Sequence, residues 1–293
     1  TVEPTLNNRA YALAYADKNF YQLLFPDESL PIPRVYLRGI SGTVYSSGYE
    51  SISSSDDYCR ELPIGRPLVI KPAADTSGGQ SVSTLDLSEG GSVTVDDQSI
   101  AVGDLPSLLL DEYSGNFVVQ EKVKQHRWFS RFNDSSVNSV RMMTYRSHRD
   151  EGVHVLGAVL RFGREFSVVD NQAAGGFSCG IRPDGTINDF RIDKYGQRRQ
   201  LSERILSDRE VPLHGEMCSL ASRLAARFPY HRLLGFDFCV NAEKNLRLLE
   251  VNTKNLEINF FQMSLGPLFG GFTEEIVEYC GNNEKSVVLD FSL

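Results

Sequence analysis

The stretch Leu233–Asn252, LLGFDFCVNAEKNLRLLEVN, decides how the chain is read. Two apolar, β-prone runs, Leu233–Val240 and Leu246–Val251, flank the polar segment Asn241–Asn245. That is the pattern of a β-hairpin. A loop with an even number of residues, closing at Glu243–Lys244, sets Asp237 directly opposite Glu250. Facing residues of an antiparallel pair hold their Cβ atoms about 4.5–5.5 Å apart, where like charges repel. Asn252 shares that face and lies diagonal to Asp237. Two carboxylates and an amide oxygen together suit a hard divalent cation such as Mg²⁺, which takes oxygen ligands and is often completed by substrate phosphates. Leu234, Phe236, Phe238 and Val240 form the apolar parity. Gly235 and Cys239, on the side of Asp237, are small enough to leave room for a ligand. The hairpin alone leaves a second reading open, in which the acids point to water, as most Asp and Glu do. An odd loop would also move Glu250 out of register.

The chain has 293 residues, a length expected for about two domains and sufficient for a substantial core. It is 41% hydrophobic and 23% charged, as in globular proteins. A net charge of −8 argues against a general nucleic-acid or anionic-membrane binder. Five scattered cysteines without CxxC spacing favour free thiols in a reducing compartment over disulfides or zinc. No apolar run approaches a membrane span and no signal peptide is seen, so a cytoplasmic location is expected. The chain begins at Thr1 rather than Met, which leaves room for a preceding segment.

Along the chain, apolar residues at Tyr11, Leu13, Ala14, Phe20, Leu23 and Leu24 predict an amphipathic helix over 8–25. Residues 31–66 read as short strands and loops, Pro67–Ile70 as a strand ending in Lys71–Pro72. Ala74–Val82 (ADTSGGQSV) is a small-residue loop in which Gly78–Gly79 lets backbone N–H groups approach an anion. Ser81–Asp86 reads as a strand, 88–104 as a polar turn region, Leu105–Tyr113 as a short helix, and Phe117–Val123 as an apolar strand. Asn138–Tyr145 and Val153–Arg161 predict paired strands around Arg149–Gly152. A further Gly-rich loop follows in Val168–Gly176, then a hairpin turn at Asp184–Gly185. Leu213 to Phe228 show a helical face behind Pro212. Strands and helices mix without βα repetition, so the expected class is α+β with antiparallel sheet dominant.

The ordered set of Lys71, a Gly-rich loop, Gln120–Val123 and the acid–acid–Asn hairpin meets what a nucleoside triphosphate needs: cations, a covering loop, an edge strand and a metal site. No GxxxxGK[ST] or GxGxxG motif is present. Leu68–Lys71 and His148–Asp150 imitate kinase signatures, but the Gly loop follows the lysine instead of preceding it and no DFG appears.

The series VIKP (69–72), TSGGQSV (76–82), VVQEKV (118–123), NSVRMMTYR (138–146), AVLRFG (158–163), VVDNQAAGG (168–176), GFDFCVN (235–241) and LLEVN (248–252) resembles the ATP-grasp superfamily. It is most similar to the sugar-transfer-associated group, a relative of the RimK-like and D-alanine–D-alanine ligases. The resemblance covers about residues 16–280, and its strength lies in the order of the motifs. It implies two lobes with mainly antiparallel sheets clamping ATP between them. The boundaries expected are a lead-in over 1–30, a central lobe over 31–123 and a C-terminal lobe over 124–293.

The resemblance implies roles residue by residue. Lys71 and Lys18 would contact phosphates, although Lys18 reads equally as an exposed helix lysine. Ser77, Gly78 and Gly79 would form the loop over the phosphates. Gln120, Glu121, Lys122 and Val123 would bind the adenine edge. Asp237, Glu250 and Asn252 match the metal triad, with its E-x-N element; a second E-x-N occurs at Glu257–Asn259. Arg141 and Arg161 would hold the γ-phosphate and an acyl phosphate, with surface ion pairing as the alternative. Asn171, beside Asp170, would lie near the acceptor. Two departures stand out. Gly235 occupies a position where D-alanine ligases carry arginine, so the phosphate contacts are distributed differently. The small domain that usually precedes the lobes is nearly absent.

What this implies is a carboxylate–amine ligase using ATP and Mg²⁺, two ions, with Mn²⁺ as substitute. Its partners would be a small-molecule or glycan-linked carboxylate and an amine acceptor in surface-polysaccharide synthesis, with no nucleic acid and no bar to an oligomer. The alternatives are a phosphotransferase of the same fold and a non-catalytic nucleotide-binding module.

Overall fold

A computed structural model describes residues 2–25, 30–74, 82–89, 91–163 and 175–286. The chain divides into two compact units, one of Asp17–Val123 and the other of Thr1–Ala16 with Lys124–Leu293. The lead-in is therefore shared between them. Its expected single helix is broken: helical turns run over Arg9–Tyr11, Ala12–Ala16 and Tyr21–Leu24. The break has a local cause. Asp17 Oδ1 accepts from Asn19 N at 2.8 Å, and Ala73 O accepts from Lys18 N at 2.8 Å, so these amides are drawn out of the helical ladder.

The unit of residues 17–123 is built on one sheet. Its strands are β1 (Val35–Ile40), β2 (Thr43–Ser46), β3 (Leu68–Pro72), β4 (Ser83–Leu87), β5 (Ser92–Val95), β6 (Gln98–Ala101) and β7 (Phe117–Glu121), in the order β2-β1-β7-β3-β4-β5-β6. Leu37, Leu68, Ile70, Phe117 and Val119 line one face and pack with Tyr58, Leu62, Leu105 and Leu109, from the helices Ser55–Glu61 and Leu105–Glu112 and the residue that closes the first. The first of these helices opens on a capping box between Ser54 and Asp57. The opposite face carries Arg38, Val118 and Lys71, aligned across β1, β7 and β3.

The second unit is also organised on one sheet. Its strands are β8 (Ser139–Arg146), β9 (Val153–Phe162), β10 (Phe177–Ile181), β11 (Phe190–Ile192), β12 (Arg198–Gln200), β13 (Leu233–Val240) and β14 (Leu246–Asn252), in the order β12-β11-β10-β9-β8-β13-β14. Every ladder in both sheets is antiparallel among the described residues. The helix His214–Ala225 packs against β8, β9 and β13, while the helix Ile258–Leu265 packs on β9, β10 and β11. All eight residues of β13 are buried. Each phenylalanine of its apolar parity, Phe236 and Phe238, contributes about 2–3 kcal/mol on burial.

The hairpin β13–β14 differs from the expected even loop. Asn241 N donates to Asn245 O at 2.9 Å, closing an odd turn over Ala242–Lys244 in which Lys244 is left-handed (φ 61°). The register then runs Val240↔Leu246, Cys239↔Arg247 and Phe238↔Leu248, and shifts before Asp237↔Glu250 and Gly235↔Asn252. Leu249 is the extra residue of a β-bulge, and it cancels the offset of the odd turn. Asp237 faces Glu250 by this route. The five cysteines are all free. No helix among the described residues is long and apolar enough to cross a membrane.

Candidate active site

In the second unit, Asp237 lies between two strands, opposite Arg141 of β8 and Glu250 of β14. Arg141 grips it with both ends of its fork: Nε donates to Asp237 Oδ1 and Nη2 to Oδ2, each at 2.7 Å. Nη1 of Arg141 donates to Glu257 Oε2 at 2.6 Å, and Nη2 also reaches Asn252 Oδ1 at 3.4 Å. Arg161, on β9 and opposite Ser139 and Ser178, approaches Asp237 Oδ2 with Nη1 at 3.4 Å. Asp237, Arg141 and Arg161 are 6%, 7% and 6% exposed, so this is a desolvated charge cluster. Such clusters hold together only when charges are paired and bonded.

The electrostatics follow from that packing. Burial opposes ionisation of Asp237, but Arg141 and then Arg161 outweigh it and hold the carboxyl below its usual range. Burial likewise opposes the charge on Arg141, and Asp237, Glu257 and Glu250 more than restore it. Arg161 is less well satisfied. Its one ion pair among the described residues is the 3.4 Å contact, and its buried Nε has no hydrogen-bond partner there.

The oxygen set that could hold a hard cation is Asp237, Glu250 and Asn252. Oδ1 of Asp237 accepts from Arg141 alone among the described residues and keeps its second lone pair, whereas Oδ2 accepts from both Arg141 and Arg161. Two carboxylates in register with an amide oxygen alongside fit Mg²⁺, not a soft metal. No group of three or more His, Cys, Asp or Glu that could hold a metal occurs among the described residues. A Cβ on Gly235 would meet Asn252 Cβ at 3.3 Å, so an arginine there would crowd the third oxygen donor; here the arginine stands on the neighbouring strand instead.

The loop after β14 is pinned by the start of the chain. Glu3 accepts from Asn255 N at 2.7 Å and Leu256 N at 3.0 Å, and Thr253 Oγ1 donates to Ala12 O at 2.8 Å. Asn255 and Glu257 both take the left-handed conformation, at φ 52° and 57°.

In the other unit, Lys71 sits on β3 in register with Val118. Lys18 is buried, not an exposed helix lysine, and its Nζ donates to Ala73 O at 3.4 Å. Gln120 is buried on β7, and its Oε1 has no hydrogen-bond partner among the described residues. The amides of Glu121 and Lys122 are taken by Arg34 O at 2.9 Å and Pro67 O at 3.1 Å; Val123 ends this unit. Ser77, Gly78, Gly79 and Asn171 lie outside the described residues. The geometry therefore brings Arg141, Arg161, Asp237, Glu250 and Asn252 together on one sheet, and places Lys18, Lys71 and Gln120–Val123 on the other unit. Sequence reasoning noted Glu257 only as part of a second E-x-N and gave it no partner. A tertiary ion pair of this kind leaves no local signature. Glu3 and Asn7 gave no signal either.

The family model described as sugar-transfer associated ATP-grasp matches residues 1–276. The chain belongs to the sugar-transfer associated ATP-grasp family. Among solved structures, this ATP-grasp chain is similar to the D-alanyl-alanine synthetase A of Vibrio cholerae O1, at 15% identity and a TM-score of 0.52, covering 92% of this chain and 65% of that one. It is also similar to the biotin carboxylase domain of the 2-oxoglutarate carboxylase of Hydrogenobacter thermophilus, at 13% identity and a TM-score of 0.50, covering 92% and 46%. The ATP-grasp ligase PsnB matches at 15% identity and a TM-score of 0.49, covering 93% and 63%. The chain thus spans less than two thirds of each of these structures. Comparison with curated proteins gave no match. At these identities the likeness is one of fold, and the fold is ATP-grasp.

Proposed function

We propose that this chain is an ATP-dependent carboxylate–amine ligase that works through an acyl phosphate. The observation that carries the reading is Arg161: a buried guanidinium that, among the described residues, has one long ion pair and an unpartnered Nε, beside the Arg141–Asp237 pair. A planar cation so placed is suited to a phosphate or carboxylate oxygen. ATP with Mg²⁺ would supply the phosphoryl group and neutralise its charge, a role the biotin carboxylase relative's bound Mg-ADP supports.

Asp237, Glu250 and Asn252 would present the oxygens for the cation. Arg161 would hold the developing oxyanion of the substrate, with Arg141 keeping Asp237 ionised and oriented. Lys18 and Lys71 would meet phosphates, and Gln120–Val123 the adenine edge. No covalent nucleophile is required, in keeping with thiols whose pKa burial raises, Cys179 to about 12. The family's association with sugar transfer supports a substrate linked to sugar chemistry; on this reading an amino acid or amine is joined to a carboxylate during surface-polysaccharide synthesis in the cytoplasm.

The test is ADP release from Mg-ATP across a panel of carboxylates and amines, with products identified by mass spectrometry and Glu250→Gln as the inactive control. An amide formed in step with ADP is expected. A stable phosphate ester, or ATP binding without turnover on any pair, would overturn the reading.

A further inference from the structure

Of the three nitrogens of the Arg141 guanidinium, Asp237 engages two, Nε and Nη2. The third, Nη1, is filled by Glu257 at 2.6 Å. The two acids differ in kind. Asp237 is buried within the sheet, whereas the Glu257 side chain is 27% exposed and stands at the end of a loop. Glu257 is also the N-cap of the helix Ile258–Leu265, yet its side chain makes no capping bond. It spends its carboxylate on Arg141 and leaves the helix amides uncapped, although a cap there would contribute about 1 kcal/mol. It does so from a left-handed backbone (φ 57°, ψ 38°) that a residue with a Cβ adopts at a cost. The strain is held in place by its surroundings. Glu3 clamps the amides of Asn255 and Leu256, and Leu256 is fully buried.

We propose that Glu257 is a built-in stand-in for an anionic ligand: its carboxylate occupies the Nη1 side of Arg141 that a phosphoryl or carboxylate oxygen of the substrate takes over. This deepens the ligase reading and rests on it for the identity of the anion. The local charge supports displacement. Asp237, Glu257 and Glu250 all act on the charge of Arg141, so three acids share that one guanidinium. With Asp237 and Glu250 offered to the cation, Glu257 is the acid left to move, and its partial exposure gives it water to move into. With Glu257 on Nη1, all three nitrogens of Arg141 are bonded, and the guanidinium is held oriented ahead of ligand binding.

Binding of Mg-ADP and of inorganic tripolyphosphate, measured by calorimetry, tests this in wild type, Glu257→Gln and Glu257→Asp, with thermal melts to confirm folding. Both variants weaken the competing contact, so each binds the polyphosphates about tenfold tighter, the worth of one charge-assisted hydrogen bond. The gain disappears when Glu257→Gln is placed in an Arg141→Lys background, because lysine has no fork for Glu257 to block. A general loss of negative charge would instead help both backgrounds equally. Unchanged or weaker binding in the variants, or the same gain beside Arg141→Lys, overturns the stand-in while leaving the ligase reading intact. If no protein in the set binds either polyphosphate, both fail.

Discussion

Asp237 owes its charge to Arg141, and the dependence runs both ways. Replacing Arg141 with Leu strips the buried Asp237 carboxylate of its two 2.7 Å bonds and leaves the 3.4 Å contact from Arg161 as its ion pair among the described residues. Removing one partner of a buried pair costs about 3–5 kcal/mol. Urea unfolding of Arg141→Leu should show a loss of that order, and Asp237→Asn in the same background should recover part of it. His231 makes a second case. It is fully buried with neither ring nitrogen hydrogen-bonded among the described residues, and burial, then Arg146, lowers its pKa to about 4. The unfolded chain takes up this proton near pH 6.5, so between pH 6.5 and about 4 it binds more protons than the folded one. Stability therefore falls as pH drops through that window, by on the order of 3 kcal/mol. His231→Phe should flatten this part of the stability–pH curve. Neither the Arg141–Asp237 pairing nor the burial of His231 was legible beforehand. The sequence offers Arg141 and Asp237 as separate cations and anions, and nothing local sets them on adjacent strands.

At the scale of elements, the hairpin shows both what a pattern reveals and what it hides. Alternation in Leu233–Val240 and the acids at 237 and 250 were readable because a strand repeats every two residues. The odd turn and the Leu249 bulge were not, because the two offsets cancel and leave the same facing pair. Lys244 bears a left-handed backbone on an exposed turn. Lys244→Gly should raise stability by roughly 0.5–1 kcal/mol, read as a higher melting temperature. The hairpin β5–β6 escaped notice for a related reason: its turn is Asp96–Asp97, both left-handed, without the glycine that usually marks it. Glycine matters elsewhere, under the helix that follows Glu257. A Cβ on Gly180 would meet Asn188 Nδ2 at 2.6 Å, Leu265 Cδ2 at 2.7 Å and Ser264 O at 2.8 Å. Gly180→Ala should therefore lift that helix, cost about 1–3 kcal/mol and weaken Mg-ADP binding with it.

At the scale of the molecule, each unit holds a core drawn from its own residues. The fragment Asp17–Val123 should fold alone, giving a cooperative melt by circular dichroism. The other unit depends on its first sixteen residues. Asn7 donates to Leu233 O at 2.7 Å and Thr253 O at 3.0 Å, and accepts from Arg232 N at 3.1 Å and Leu233 N at 2.9 Å. Asn7→Ala strands these buried groups and should cost about 2–4 kcal/mol in urea unfolding. The α+β class and the ATP-grasp motifs were legible because they lie along the chain in order, whereas the service of residues 3–12 to the loop at 253–257 was not, being a pairing of distant ends.

That pairing sets the order in which the protein can be made. Residues 17–123 form an insertion, complete once Val123 has left the ribosome, and free to fold while synthesis continues. Asn7 must wait for Thr253, 246 residues further on, before its last bond can close. Residues 3–12 are thus among the last to settle, and until they do the loop that follows Asn252 lacks its bonds to Glu3, Asn7 and Ala12.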